Sequence, residues 1–382
     1  MKALVRLAIG ASAVLGLTTL AAPALAGADA PAYPGFTFGP SHVVFVQTDN
    51  LAGNQVVAYD RGADGSLHLA GTYDTGGLGG QLTGSVVDHL ASQGSLAYDP
   101  HNGSLYAVNA GSNTVSVFAV RGDRLFLRQV VGSGGTFPVS IAVHGSLVYV
   151  LNAENGASVQ GFVGLFGHLF PLPRSARALD LNPAATPQFV NTPGQVAFSP
   201  DGSQLIVTTK ANGNAIDVFG VGWFGYLSAT PVVNAEPGTV PFAISFDSAG
   251  HLLIAEAGTN ALATFTLSPG GTVSPVSAVG TGQSATCWVA SAQGFFYASN
   301  AASASVSRYS VSTGGTLTLG GQTATDPGTV DAAASADGQY LYVQTGGNGN
   351  VDEFRVNPGG VLTGVGSVTV AGAVGGEGIV AF

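Results

Sequence analysis

Of the 382 residues only 8% are charged, against roughly 25% in an average soluble domain, while 46% are hydrophobic and 57 are glycine. That balance excludes a charged, disordered chain, and because the glycines follow no G-X-Y period they point to tight turns rather than a collagen-like helix. The net charge of −10, with no basic cluster, excludes nucleic acid as a partner.

Residues 1–26 have the pattern of a Sec-type signal peptide. Lys2 and Arg6 form the positive start, Leu7 to Leu20 the apolar stretch, and Ala24-Leu25-Ala26 an A-x-A cleavage site. The apolar run breaks at Pro23, too short for a membrane anchor, and no Cys follows the site to take a lipid. The expectation is a secreted or extracytoplasmic protein with no membrane span in the mature chain, which then carries a charge of −12. Residues 27–40 read as an N-terminal linker, and 41–382 as one domain. Cys287 is the only cysteine, so packing rather than a disulfide must hold that domain together.

From residue 41 onward one pattern recurs. Short β runs end at Thr48, Asn109, Asn152, Thr209, Glu256, Asn300 and Thr345, spaced by 61, 43, 57, 47, 44 and 45 residues. Each is followed by a second β run, such as Thr114-Val115-Ser116-Val117-Phe118 or Ala215-Ile216-Asp217-Val218-Phe219. Seven units of this length, each able to supply four short strands, predict an all-β seven-bladed β-propeller of antiparallel blades. Asp64-Gly65, Asp201-Gly202 and Asp337-Gly338 sit between β runs, where hairpins need positive φ.

The first unit lacks the opening strand that the others have, as in Gly194-Gln195-Val196-Ala197-Phe198-Ser199. The missing strand is Glu377 to Phe382 at the far end, so the C-terminal strand is predicted to complete blade one and remove a bare sheet edge. The two long steps carry insertions, one with Gly76 to Gly80 and Ser85 to Leu90, the other with Pro171 to Arg174 and Asn182 to Pro187. Both precede an innermost strand, so both should lie over one mouth of the central channel.

Seven units of this length, a split first blade and the Ser199-Pro200-Asp201-Gly202 turn together resemble the lactonase-like seven-bladed propellers. That family is named after 6-phosphogluconolactonase, and the likeness is greatest to its exported bacterial branch. The resemblance implies catalytic histidines in a P-H-x-H segment and an arginine in P-R-H. Here Pro193-Gly194-Gln195-Val196 and Thr329-Val330-Asp331 stand at those places, so the imidazoles and the guanidinium are absent. Hydrolysis of 6-phosphogluconolactone is therefore not expected.

Two rows of residues should converge on the mouth. The strand ends give Asn109, Asn152, Lys210, Glu256 and Asn300, and the segments entering innermost strands give Gln93, Gln195, Cys287, Asp331 and Glu377. Asn109, Asn152, Glu256 and Asn300 form an oxygen-rich set with the chemistry to hold Ca²⁺, set against the plainer reading of asparagines that turn the chain at strand ends. Glu256 and Asp331 are the candidate catalytic carboxylates. Cys287 reads as a buried small hydrophobe, with a reactive thiol as the alternative. The Ser85, Asp88 and His89 group lacks a G-x-S-x-G elbow and reads as a polar loop, and the remaining histidines show no zinc spacing.

Phe162, Leu165, Phe166, Phe170, Trp223, Phe224 and Tyr226 fall in hairpins of blades three and four. They are expected to fold back on their own blades, with an exposed patch for a glycan or protein as the alternative. The functional expectation is a monomeric binding or interaction module for a small molecule, glycan or protein, with no cofactor. The alternative is a hydrolase of small neutral lactones or esters, assisted by Ca²⁺.

Overall fold

The computed structural model describes residues 42–382; the expected signal peptide over 1–26, the expected linker over 27–40 and Ser41 lie outside the described residues. Seven antiparallel sheets follow one another in chain order. Blade two is typical. Its strands Leu96–Asp99, Ser104–Asn109, Thr114–Arg121 and Arg124–Gly132 run from the channel to the rim. Blades four to seven repeat that order, beginning at Gln195, Pro241, Thr286 and Thr329. Blade three begins at Pro138 and adds a short strand, Arg177–Ala178, to the edge of Ser158–Leu165.

Burial follows position in the blade. The second strand counted from the channel is the most buried of each blade, and Val43–Gln47, Gln204–Thr208 and Tyr340–Thr345 are buried along their whole length, because neighbouring blades cover both faces. The outermost strands, such as Leu67–Asp74 and Leu362–Thr369, alternate and leave one face to solvent. The core is consequently a set of layers between blades. One layer joins Val44, Val46 and Tyr59 of blade one to Tyr340, Tyr342 and Val351 of blade seven.

The ring closes as the chain ends imply. Ile379–Ala381 pairs antiparallel with Val43–Gln47, in the register Val44 to Ala381, Phe45 to Val380 and Val46 to Ile379. Side chains reinforce the seam between the last and first blades. The Arg61 guanidinium donates to Asp337 at 3.0 Å, and the Tyr342 hydroxyl donates to the Gly65 carbonyl at 2.9 Å. Gly65, at φ +95°, must be glycine, since a Cβ there would lie 2.0 Å from the Tyr340 ring.

One expectation fails in part. Phe162 is buried, but Phe166, Trp223 and Phe224 do not fold back: they are 92%, 89% and 83% exposed. Their backbones sit in tight reversals, with Phe166 and Phe224 both at positive φ, which turns the rings outward from the blades. They lie on hairpins between third and fourth strands, whereas the long insertions connect one blade's fourth strand to the next blade's first.

Candidate functional site

The first insertion does more than cover the mouth. After Leu82 it runs inward, and Ser92 and Gln93 bridge the channel to blade six before the chain enters blade two. The Gln93 amide donates to the Val289 carbonyl at 2.9 Å and accepts from the Val289 N–H at 3.0 Å. The Trp288 indole N–H donates to the Ser92 carbonyl, and the Ser92 hydroxyl donates to the Val139 carbonyl of blade three at 2.8 Å. The second insertion meets the first, with the Thr83 N–H donating to Gln188 Oε1 at 2.8 Å. Both insertions thus lie over one mouth.

Between them and blades four to six is a cavity of about 550 Å³. Its walls are mostly apolar: Val87 and Phe189 from the insertions, Val240 and Phe242 from blade five, Trp288 and Ala302 from blade six. Three polar side chains line it, Asp88, Lys210 and Cys287.

Lys210 follows the second strand of blade four, in a left-handed conformation at φ +41° that points an unusually buried ammonium inward. Its Nζ donates to the carbonyls of Ala91 and Phe189, each at 2.6 Å, and lies 5.1 Å from the centre of the Phe242 ring. One lysine therefore fastens both insertions to the scaffold. Burial pushes its pKa down to about 8, with the carboxylates of Asp88 and Glu377 opposing the shift. Burial pushes Asp88 up to about 6, and the nearby ammonium opposes it. The buried Cys287 thiol is pushed well above its ordinary range by loss of solvent. It is the small hydrophobe of the first expectation, and the reactive-thiol alternative loses its basis, since the thiolate is the nucleophile.

On the other side of the bridge Glu377, Asp49 and Asp331 gather around the axis. Glu377 Oε1 accepts from the Ser92 N–H at 3.0 Å and lies 2.6 Å from the Ser92 hydroxyl oxygen, and the Glu377 N–H donates to Asp49 Oδ2 at 2.9 Å. Asp331 accepts from the Ala332 N–H at 2.9 Å. Burial pushes Asp49 and Asp331 up to about 7 each and raises Glu377 as well.

The two rows read from the sequence part company here. Of the residues entering innermost strands, Gln93, Cys287, Asp331 and Glu377 lie along the channel. Gln195 instead uses its Oε1 to accept from the Ile244 N–H of blade five at 2.6 Å. Of the strand-end row only Lys210 lines the cavity. Asn109 donates to Thr114 and Ser116, Asn300 donates to Ser305 and Ser307, and Asn152 donates to the Ser133 carbonyl. Glu256 accepts from Thr259 at 2.8 Å. The proposed calcium set of Asn109, Asn152, Glu256 and Asn300 is not brought together, because each side chain turns back on strands or turns beside it. Among the described residues no three His, Cys, Asp or Glu side chains are grouped to hold a metal ion.

Asp88, Phe189 and Trp288 are among the site residues that the sequence did not nominate. The available signal was the length of the two insertions.

The chain matches no protein-family model and no curated protein. Solved structures do match it. A candidate 6-phosphogluconolactonase from Bacteroides fragilis superposes with a TM-score of 0.69 at 18% identity, covering 88% of this chain and 98% of that one. The periplasmic gluconolactonase of Pseudomonas aeruginosa gives 0.68 at 17% identity, again over 88% and 98%. Virginiamycin B lyase from Staphylococcus aureus gives 0.54 at 12% identity, over 76% and 89%. The chain thus has the lactonase-like seven-bladed propeller fold. Identities this low carry the fold alone.

Proposed function

We propose that the protein is a binding module whose mouth cavity takes a compact, largely apolar small molecule bearing one carbonyl oxygen. The observation that carries this reading is the cavity itself: about 550 Å³ of mostly apolar wall with a buried ammonium, Lys210, on its border. Apolar walls supply affinity in proportion to the area covered, and a few placed polar groups fix orientation. The Lys210 ammonium has three N–H donors, of which two are held by backbone carbonyls, leaving one to give. A neutral acceptor suits it better than a carboxylate, because Asp88 and Glu377 already supply negative charge close by.

Several features favour binding over turnover. Among the described residues no histidine or serine lines the cavity, burial raises the Cys287 thiol well above its ordinary range, and the places where the resembling family has its histidines are Gly194 and Val196. Asp88, and Lys210 once deprotonated, are the groups on the wall able to act as a base, and a hydrolytic activity would have to run through one of them.

Trp223 is exposed and Trp288 lines the cavity, so Trp223→Phe leaves a single fluorophore at the site. Titration of that variant with δ-decalactone or a cyclic ketone of similar size should change Trp288 emission saturably, and Ala302→Phe, which puts a ring on the cavity wall, should weaken the response. An unchanged response in Ala302→Phe would place binding elsewhere. Ester or lactone hydrolysis that disappears in Asp88→Asn would replace the binding reading with the enzymatic one.

A further inference from the structure

A second cavity shares a wall with the first. The short helical turn Gln188–Asn191 of the second insertion puts Phe189 and Val190 on the apolar cavity, and Gln188, Asn191 and the following Thr192 on a cleft of about 140 Å³. The opposite wall of that cleft is Glu154 and Asn155 from blade three, closed by Asn182 and Asn212. The two cavities have opposite character although one turn of chain separates them.

We infer that this cleft is a binding site for a neutral polyhydroxylated ring of monosaccharide size. Much of the hydrogen-bonding capacity of its walls already holds the walls in place. The Gln188 amide donates to Glu154 Oε1 at 2.6 Å, and Asn212 donates to the carbonyls of Asn182 and Asn191 at 2.9 and 3.1 Å. These bonds pre-set the shape of the cleft, which lowers the cost of ordering it around a ligand.

What remains unused is the informative part. Thr192 lines the cleft, and its hydroxyl is buried with no hydrogen-bond partner. A buried hydroxyl without a partner costs about 1–3 kcal/mol, so the position asks for a polar guest. Asn191 uses its amide N–H on the Pro187 carbonyl and Asn155 uses its own on Thr136, so each keeps a carbonyl oxygen free to accept. Asn182 is the converse: its Oδ1 accepts from the Ala184 N–H, and its NH₂ remains free to donate. Accepting amides, a donating amide and a hydroxyl that does both match the mixed character of sugar hydroxyls.

Charge and size narrow the class. Among the described residues Glu154 is the only charged side chain on the wall, so phosphorylated or acidic sugars would meet repulsion with no described cation to offset it. A bare metal ion would leave most of 140 Å³ empty. An apolar guest would strand the amides.

The test is saturation-transfer NMR on the whole protein with glucose, galactose and mannose, beside glucose 6-phosphate, gluconate and CaCl₂ alone. Transfer to at least one neutral sugar is expected, with none to the two anions. Thr192→Val removes the hydroxyl at nearly constant shape and, having no bond to break, should leave the melting temperature unchanged or slightly raised while weakening the sugar about tenfold. Asn191→Ala should weaken it as well. No transfer from any neutral sugar at 20 mM, or transfer untouched by both variants, overturns the proposal; so does saturable calcium binding lost in Glu154→Gln. Trp288 emission reports the other cavity, so either site can fail alone.

Discussion

Deleting Ile379 to Phe382 opens the ring, and the structure gives the size of the effect. The deletion removes a three-residue antiparallel pairing with Val44 to Val46 and the bond from the Phe382 N–H to the Val43 carbonyl. Ladder bonds of this kind contribute about 1 kcal/mol each, or about 3 kcal/mol together. Ile379 is buried, and exposing it costs about 2 kcal/mol. Phe382 packs edge-on against Phe45 and Tyr98, with ring centres at 6.1 and 4.6 Å, and losing both contacts with their area costs about 3 kcal/mol. The total of about 8 kcal/mol falls within the whole stability of an ordinary domain, about 5–15 kcal/mol. At about 2.1 cal/mol/K per residue of unfolding entropy, that corresponds to a fall in Tm on the order of 10 °C, more if the ring unravels from the open seam. Differential scanning calorimetry of the truncated and full domains reads it. A shift under about 2 °C would refute the closure argument.

Other outcomes follow from single residues. Asp217 is buried with Oδ1 unpartnered, and burial pushes its pKa up to about 6, above the 3.8 of the unfolded chain. Because the folded value is the higher one, holding the ionised carboxylate costs stability progressively as pH rises from about 4 to 6, and the cost is complete above that, up to about 3 kcal/mol. Asp217→Asn should therefore raise Tm at pH 8 and leave it unchanged at pH 4, and equal gains at both would contradict the assignment. Lys210→Met removes the ammonium that fastens both insertions, so amide exchange should quicken in 82–91 and 187–191 but not in the strands of blade seven; uniform quickening would mean global destabilisation instead. Export of the full chain should yield a mature N-terminus at Gly27 by intact-mass measurement, and a retained Met1 would refute the signal reading.

The fold was legible because it is written seven times. Strands buried on both faces read as continuous apolar runs, Asp-Gly pairs mark their hairpins, and the missing opening strand of blade one matches the surplus strand at Ile379. The site was legible only where the fold repeats too. A residue entering an innermost strand faces the axis in most blades, which is why Gln93, Cys287, Asp331 and Glu377 lie along the channel, with Cys287 alone of the four on the cavity wall. Asparagine at a strand end has a nearer choice: Ser116 and Ser307 stand seven residues on, and Asn109 and Asn300 bond to them rather than face the channel. Asp88 and Ser92 were missed because the first insertion acquires its path only from partners far along the chain, such as Trp288 and Glu377. No local pattern encodes contacts of that range. The outward turn of Phe166 and Phe224 depends on positive φ at non-glycine residues, which composition does not announce.

The most direct measurement of the mouth cavity is the affinity of a homologous series of δ-lactones with alkyl tails of one to five carbons, read from Trp288 in the Trp223→Phe protein. An apolar cavity with one fixed donor predicts a gain of about 0.8 kcal/mol per methylene until the cavity is full, close to fourfold in Kd per step. Lys210→Met, which removes the donor and loosens the insertions that carry Val87 and Phe189, should weaken every member of the series. Affinities independent of tail length, or a Lys210→Met series that coincides with the parent, would contradict the account.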